Sequence, residues 1–323
     1  MNSSDFFGVI LAAGEGSRLR PLSFDQPKPL LPICNKPIIQ HQLEYMKSIG
    51  IHRCVIVVGH LGRHIMEFFG DGTRFGVSIR YVIQEKPLGI AHAVYQLEDD
   101  IDRPFLLFLG DIFLVPKNLD QMLQIFMDRR AAAVLAVKRE PNPEFVRRNF
   151  AVSLDDTGRV TRVVEKPRYV KDNLKGCGIY LFDLPIFDAI RRTPRTAMRD
   201  EYEITTSIQM LIEDGAPVYP AETVEWDMNV TVPCDLLECN LKLLKHLGLD
   251  SAVGERVSIA EGAGITQSVI GDGVVIRRPI RISRSLVTPG CVVDSSRDLD
   301  GVIIAGGNSI QCTMPGDPDG ADA

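Results

Sequence analysis

The chain has 323 residues, 45% of them hydrophobic and 24% charged, with a formal net charge of −6. That length and apolar content suffice for one large core, or for a large domain with a small companion. The acidic balance lacks the basic surplus of nucleic-acid binders, and no run of about 18 apolar residues offers a membrane span. The first residues lack a basic start followed by a long apolar stretch, so no signal peptide is expected and the expected location is the cytoplasm. Seven cysteines are scattered without a C-x-x-C pair, which suits buried, reduced thiols better than a metal site.

Short apolar runs open the chain. Phe6 to Leu11 predicts a buried first strand, and it stops at Ala12-Ala13-Gly14. Pro37 to Ile49 follows with helical spacing, Pro37 in its first turn and Gly50 as its stop. Further strands are predicted at 54–58, 78–84, 104–109 and 132–137, with helices at 88–97 and 119–129 between them. Such alternation predicts an open α/β sheet, mostly parallel, with its ligand crevice beyond the carboxyl ends of the strands. Runs at 151–154 and 160–165 flank Asp155-Asp156-Thr157-Gly158 and predict a hairpin; 179–182 predicts a further strand and 232–247 a closing helix.

After about residue 250 the helical signal ends. Val253, Ile259 and Ile265 recur at steps of six, and Ile270, Ile276 and Ile282 repeat the frame. A period of six predicts a parallel β-helix of hexapeptide units. The end of the chain from Thr313 is small, acidic and rich in Pro and Gly, and is expected to be a disordered tail.

Leu11-Ala-Ala-Gly-Glu-Gly-Ser-Arg-Leu-Arg-Pro21 is the segment richest in chemistry. Gly14 and Gly16 permit a tight turn that brings backbone N–H groups to an anion. Ser17 adds a hydroxyl, and Arg18 a planar fork matched to phosphate oxygens. Lys28 stands between Pro27 and Pro29, which restrict where its amine reaches. Two cations and a nest of amides suit a triphosphate. Further on, Gln84 offers both donor and acceptor to a base edge, and Gly89 would let a flat base approach the backbone. Asp111 ends an apolar strand where a hard oxygen ligand suits Mg2+, and Asp227 is a second candidate. Glu165 and Lys166 form an acid–base pair able to read sugar hydroxyls and a phosphate. His60 and His64, four apart without a third ligand, are taken as structural or solvated.

Taken in this order, these motifs resemble the sugar-1-phosphate nucleotidylyltransferases, or nucleotide-sugar pyrophosphorylases, across nearly the whole chain. The Gln-x-x-Pro-x-Gly-x-Ala-His-Ala block is most similar to glucose-1-phosphate thymidylyltransferases and the related uridylyltransferases. The resemblance implies a Rossmann-like nucleotidyltransferase domain at 1–248, a short left-handed parallel β-helix at 249–312 and the tail at 313–323. It implies Mg2+ and the reaction of an NTP with a sugar 1-phosphate to give NDP-sugar and pyrophosphate, with dTTP or UTP and glucose 1-phosphate as the expected pair. It places Leu11, Ala13, Gly14, Gly16, Ser17, Arg18, Lys28, Gln84 and Gly89 on the nucleotide, with Arg18 and Lys28 catalytic. Ala151, Glu165, Lys166 and Glu203 fall on the sugar phosphate, and Asp111 and Asp227 on the metal. Three positions depart from the family's usual form: Ala151 and Asn229 stand where glycine is common, and Thr206 where aspartate is common.

The sugar phosphate is already anionic at neutral pH, so a single in-line displacement at the α-phosphorus needs no Ser, Cys or His nucleophile. Catalysis is expected from alignment and charge neutralisation. Mannose-1-phosphate guanylyltransferases and adenylyltransferases share a short hexapeptide tail and are the alternative substrate classes. A non-catalytic regulatory subunit of the same fold is the alternative of another kind, although Arg18, Lys28, Asp111 and Asp227 are all retained. The repeats contain no histidine, which disfavours an acyltransferase and favours an oligomerisation or regulatory role, and a homo-oligomer is expected.

Overall fold

The computed structural model describes residues 5–197 and 200–313, and they fall into two compact units. Of the described residues, the first takes those up to 14 and from 41 to 227, and the second those from 15 to 40 and from 228 on. This division differs from a simple cut near residue 249. From residue 314 on, the expected tail lies outside the described residues.

The first unit is built on a nine-stranded mixed sheet. Its strands are β1 (Phe7–Ala12), β2 (Arg53–Val58), β3 (Ser78–Ile83) and β4 (Phe105–Leu109). A separate two-stranded sheet pairs β5 (Ile112–Pro116) with β11 (Val224–Asn229). The large sheet continues through β6 (Ala133–Arg139), β7 (Phe150–Leu154), β8 (Val160–Glu165), β9 (Leu174–Phe182) and β10 (Val218–Ala221). The order is β8-β7-β9-β4-β1-β2-β3, with β6 also beside β9 and β10 beside β6. β1 runs parallel to β2 and β4, pairing Ile10 with Ile56 and Phe108. β9 is antiparallel to β4, β6 and β7, so the sheet turns mixed where the helical connections give way to hairpins.

Apolar runs form these central strands because both faces are covered. Val9, Val57, Leu107, Leu135 and Phe182 sit in one continuous buried cluster with Ala91, Val94, Ile186 and Ile208. The last four belong to helices α3 (Ile90–Tyr95), α6 (Ile186–Arg192) and α7 (Ile204–Glu213), which are numbered in a chain series with α1 (Ile38–Ser48), α2 (Gly62–Phe69), α4 (Asp120–Arg129), α5 (Pro143–Arg147) and α8 (Pro233–His246). The predicted hairpin is present. Asp155 closes it by accepting from the Thr157 and Arg159 amides and the Thr157 hydroxyl, and Gly158 takes the left-handed conformation.

β9 is longer than expected, nine buried residues rather than four. Its register against β6 shifts between Gly176 and Tyr180, with Gly178 at φ +71°. Such a bulge bends a strand and re-aims its side chains.

In the second unit, three parallel sheets rise in step. Ala252 pairs Val269, Val269 pairs Leu286 and Leu286 pairs Ile303, each 17 residues on. The other two sheets keep the same interval, as in Ser258 with Val275 and Ile282 with Leu299. One circuit is therefore six, six and five residues, and the step of five separates Ile265 from Ile270. Ile270, Ile276, Ile282, Val287 and Val293 fill the interior. A serine line braces one edge. The Ser251, Ser268 and Ser285 hydroxyls accept from the amides of Ser268, Ser285 and Val302 at 3.2, 3.1 and 3.1 Å.

The helix α8 and the 15–40 segment belong to this same unit. Asn240, fully buried on α8, accepts from the Cys34 amide at 2.7 Å and donates to the Pro32 carbonyl at 3.0 Å. Asn35 donates to the Ile270 carbonyl at 2.9 Å. The cysteines are not all free thiols as expected. Cys234 and Cys312, 78 residues apart, form a disulfide with a Cα–Cα distance of 5.5 Å. The bond joins the start of α8 to the end of the last strand, a proximity created by the coil that no spacing in the sequence announces. Cys34, Cys54, Cys177, Cys239 and Cys291 are free. Among the described residues no helix is long and apolar enough to cross a membrane.

Candidate active site

The carboxyl end of β1 is gripped from both sides. A side chain on Gly59 would stand 2.7 Å from the Ala13 carbonyl, and one on Gly110 2.7 Å from the Leu11 carbonyl. Gly110 also donates its amide to that Leu11 oxygen at 2.8 Å. These glycines are set by backbone contact. Gly14 differs: a Cβ there meets nothing within 4 Å, and its φ is ordinary, so packing does not demand glycine.

Gly16, Ser17, Arg18 and Lys28 lie in the second unit. Gly16 takes φ +65°, and a Cβ on it would approach the Lys28 Cβ at 3.2 Å. Ser23 fastens the turn by donating to the Gly16 carbonyl at 2.8 Å. Ser17 and Arg18 form a single exposed helical turn with buried Leu19, whereas Lys28 is itself buried. The loop thus holds one cation out and one in.

In the first unit, Gln84 follows β3 and is buried. Its amide Nε2 lies 3.2 Å from Nδ1 of His92 on α3. Burial holds His92 below its ordinary value of 6.5. Gly89 is also set by packing. At φ +109° its missing side chain makes room for Tyr202, whose carbonyl would stand 2.5 Å from a Cβ. Tyr202 donates to the Leu88 carbonyl at 2.8 Å and accepts from the Ala91 amide at 3.0 Å, and its ring lies over His92. His92 and Tyr202 were not singled out from the sequence. The helical His in the Gln84 block was the available signal for the first, and nothing local marks the second.

Asp111 sits in the tight turn between β4 and β5. Gln42, buried on α1, spans that turn by donating to the Leu109 and Ile112 carbonyls at 2.9 and 3.0 Å. Glu165 ends β8 and accepts from the Thr205 hydroxyl at 3.4 Å. Lys166 is exposed at φ +42°, with its amide on the Asn149 carbonyl. Ala151 pairs with Val164 on one side and Lys175 on the other. Glu203 is buried and caps α7 through its carbonyl.

On β9, burial first, then nearby charges led by Glu165, push the Tyr180 hydroxyl well above its ordinary value. Two residues before the bulge, Lys175 donates to Asp227 Oδ2 at 2.5 Å. Lys138 stands 4.0 Å from Asp227 Oδ1 and 3.1 Å from Glu140. The Asp227 side chain is 4% exposed, and its Oδ1 accepts no hydrogen bond. That leaves one hard, buried oxygen atom unsatisfied, which fits a cation ligand. Lys138, Glu140, Lys175 and Tyr180 were missed by sequence reasoning. Lysines and glycines interrupt the apolar pattern around them, so the strand was placed five residues short. His60 is exposed and His64 partly so, in keeping with their reading as non-ligands.

Residues 7–245 match the nucleotidyl transferase family model. The chain belongs to the nucleotidyl transferase family. It is 34% identical over 330 aligned positions to a glucose-1-phosphate thymidylyltransferase of Streptomyces griseus, covering 95% of this chain and 91% of that protein. It is 35% identical to a UTP–glucose-1-phosphate uridylyltransferase of Haloferax volcanii, covering 73% and 95%. Among solved structures it matches a Bacillus anthracis chain assigned as a glucose-1-phosphate thymidylyltransferase and solved with sucrose. That match has 27% identity and a TM-score of 0.66, and covers 73% of this chain and 94% of that one. The Rossmann-like, mostly parallel core of this nucleotidyltransferase is common to these relatives.

Proposed function

We propose that the protein joins dTTP or UTP to glucose 1-phosphate, releasing pyrophosphate and an NDP-glucose. What supports this is the family match running unbroken from the glycine loop at Gly14 to Asp227, with near relatives named for that reaction. Leu11, Ala13, Gly14, Gly16 and Ser17 cradle the phosphates, Arg18 and Lys28 neutralise them, and Gln84 and Gly89 address the base. Gln84 reads the base with its amide already oriented by the His92 ring. Ala151, Glu165, Lys166 and Glu203 receive the sugar phosphate. Asp111 and Asp227 would hold Mg2+, which supplies charge neutralisation on the phosphates when bound. A sugar-phosphate oxygen attacks the α-phosphorus in line as pyrophosphate leaves, and no protein nucleophile takes part.

The proposal assigns residues 1–248 to catalysis. It assigns 249–312 to a left-handed parallel β-helix that joins copies of a cytoplasmic homo-oligomer. Pyrophosphate release with each NTP and sugar 1-phosphate pair tests the reading, mannose 1-phosphate with GTP included. Lys28→Ala and Asp111→Asn are each expected to lower turnover at least ~100-fold, the scale of one lost positioned electrostatic group. Near-normal turnover in either purified variant would overturn the role given to it.

A further inference from the structure

Asp227 is bound by a cation that belongs to the chain. Lys175, 5% exposed, holds its Oδ2 at 2.5 Å, and Lys138 stands at ion-pair distance from Oδ1. Glu140 balances Lys138, so the two lysines and two carboxylates together carry no net charge. Among the described residues, no three His, Cys, Asp or Glu side chains stand together as a metal cage. An incoming divalent ion therefore meets one unsatisfied oxygen, Oδ1, on a carboxylate whose charge is already cancelled.

We propose that Lys175 is a positioning residue that makes Asp227 a one-oxygen ligand too weak to hold a free divalent cation, so that the cation is retained only together with the nucleotide's phosphates. This rests on the proposed role of Asp227. Two arguments carry it. The first is geometric. With Oδ2 committed to Lys175, bidentate capture is closed, and Oδ1 is the carboxylate atom left to act as a ligand. The second is electrostatic. An ammonium on the same carboxylate repels a divalent ion in a site with little water to screen it. Added phosphate charge reverses that balance. The device keeps the carboxylate in place without a resident ion and lets the triphosphate bring its own.

The test is Mn2+ binding to the nucleotide-free protein, followed by electron paramagnetic resonance. Lys175→Met is expected to tighten free Mn2+ binding at least ~10-fold, as removal of one adjacent like charge requires. Lys175→Arg, which keeps the charge, is expected to match the parent, and Lys175→Met with Asp227→Asn to lose the gain. A merely structural lysine would give no tightening on removal. Because Lys175→Met leaves Asp227 without its buried partner, Lys138→Met is the second arm. That lysine is partly exposed, and its loss is expected to tighten Mn2+ binding to a smaller degree. Unchanged or weaker Mn2+ binding in a folded Lys175→Met protein overturns the proposal. If that protein does not fold, unchanged binding in Lys138→Met does the same. Pyrophosphate release by the parent protein is scored separately, so loss of the proposed reaction and loss of this role are told apart.

Discussion

The sheet unit and the coil unit are held in place by different kinds of neighbour. In the sheet unit, a residue's surroundings come from far along the chain: Gly89 is shaped by Tyr202, Gly110 by Leu11, and Asp227 by Lys175. In the coil, strand neighbours lie 17 residues away, and the serine line repeats one bond three times. The first arrangement concentrates constraint at single positions that converge on chemistry. The second spreads it evenly. Function of the kind that needs several unlike groups at one place is accordingly carried by the sheet, and the coil offers a regular scaffold. One contact that breaks the coil's even rule is Asn240, a buried amide that ties α8 to the 32–34 turn with partners over 200 positions away.

That contrast can be broken by substitution. Gly89→Ala should have the largest effect, about 3 kcal/mol of lost stability, because a left-handed backbone and a contact with the Tyr202 carbonyl are both violated. Urea unfolding measures it; a loss under 1 kcal/mol would show that the Tyr202 segment yields easily. Asn240→Ala should cost about 2 kcal/mol, since the Cys34 amide and Pro32 carbonyl lose a buried partner. Its loss should appear as faster amide exchange around residues 32–35, and unchanged exchange there would refute the role given to Asn240. Ser285→Ala should cost less, about 1.5 kcal/mol, since one hydroxyl of a repeating line loses its bonds to the Val302 amide and the Ser283 carbonyl. If it cost as much as Gly89→Ala, the even spread of constraint along the coil would be wrong.

The same contrast explains what the sequence disclosed. Central strands β1, β2, β4 and β6 announced themselves as apolar runs because both their faces are buried. The coil announced itself through period, although the recurrent step of five made its circuit 17 rather than 18 residues long. The glycine loop was legible because Gly14 and Gly16 lie close together in sequence with Arg18 and Lys28. What stayed hidden needed distant partners. Lys175 looks like a surface lysine until β9 places it on Asp227, 52 positions on. Gly89 was legible as a special glycine, yet its cause, Tyr202, lies more than 100 positions away. Strand β11 was missed because Trp226 and Asp227 alternate with neighbours that carry no simple pattern, and β5 because its apolar run follows β4 after only Gly110 and Asp111. The Cys234–Cys312 bond arises only once the coil has brought the end of the chain back to α8.

The 17-residue circuit has an architectural corollary. Because each rung repeats the hydrogen-bond frame of the one before, the coil's length comes in whole quanta. Duplicating or deleting one circuit, such as 268–284, returns every later inward side chain to the interior and every serine to its line, whereas removing a single residue from within a strand moves the next inward position of that strand off the frame. Extension of this scaffold is thus a matter of copying cassettes, independent of the chemistry assembled on the sheet.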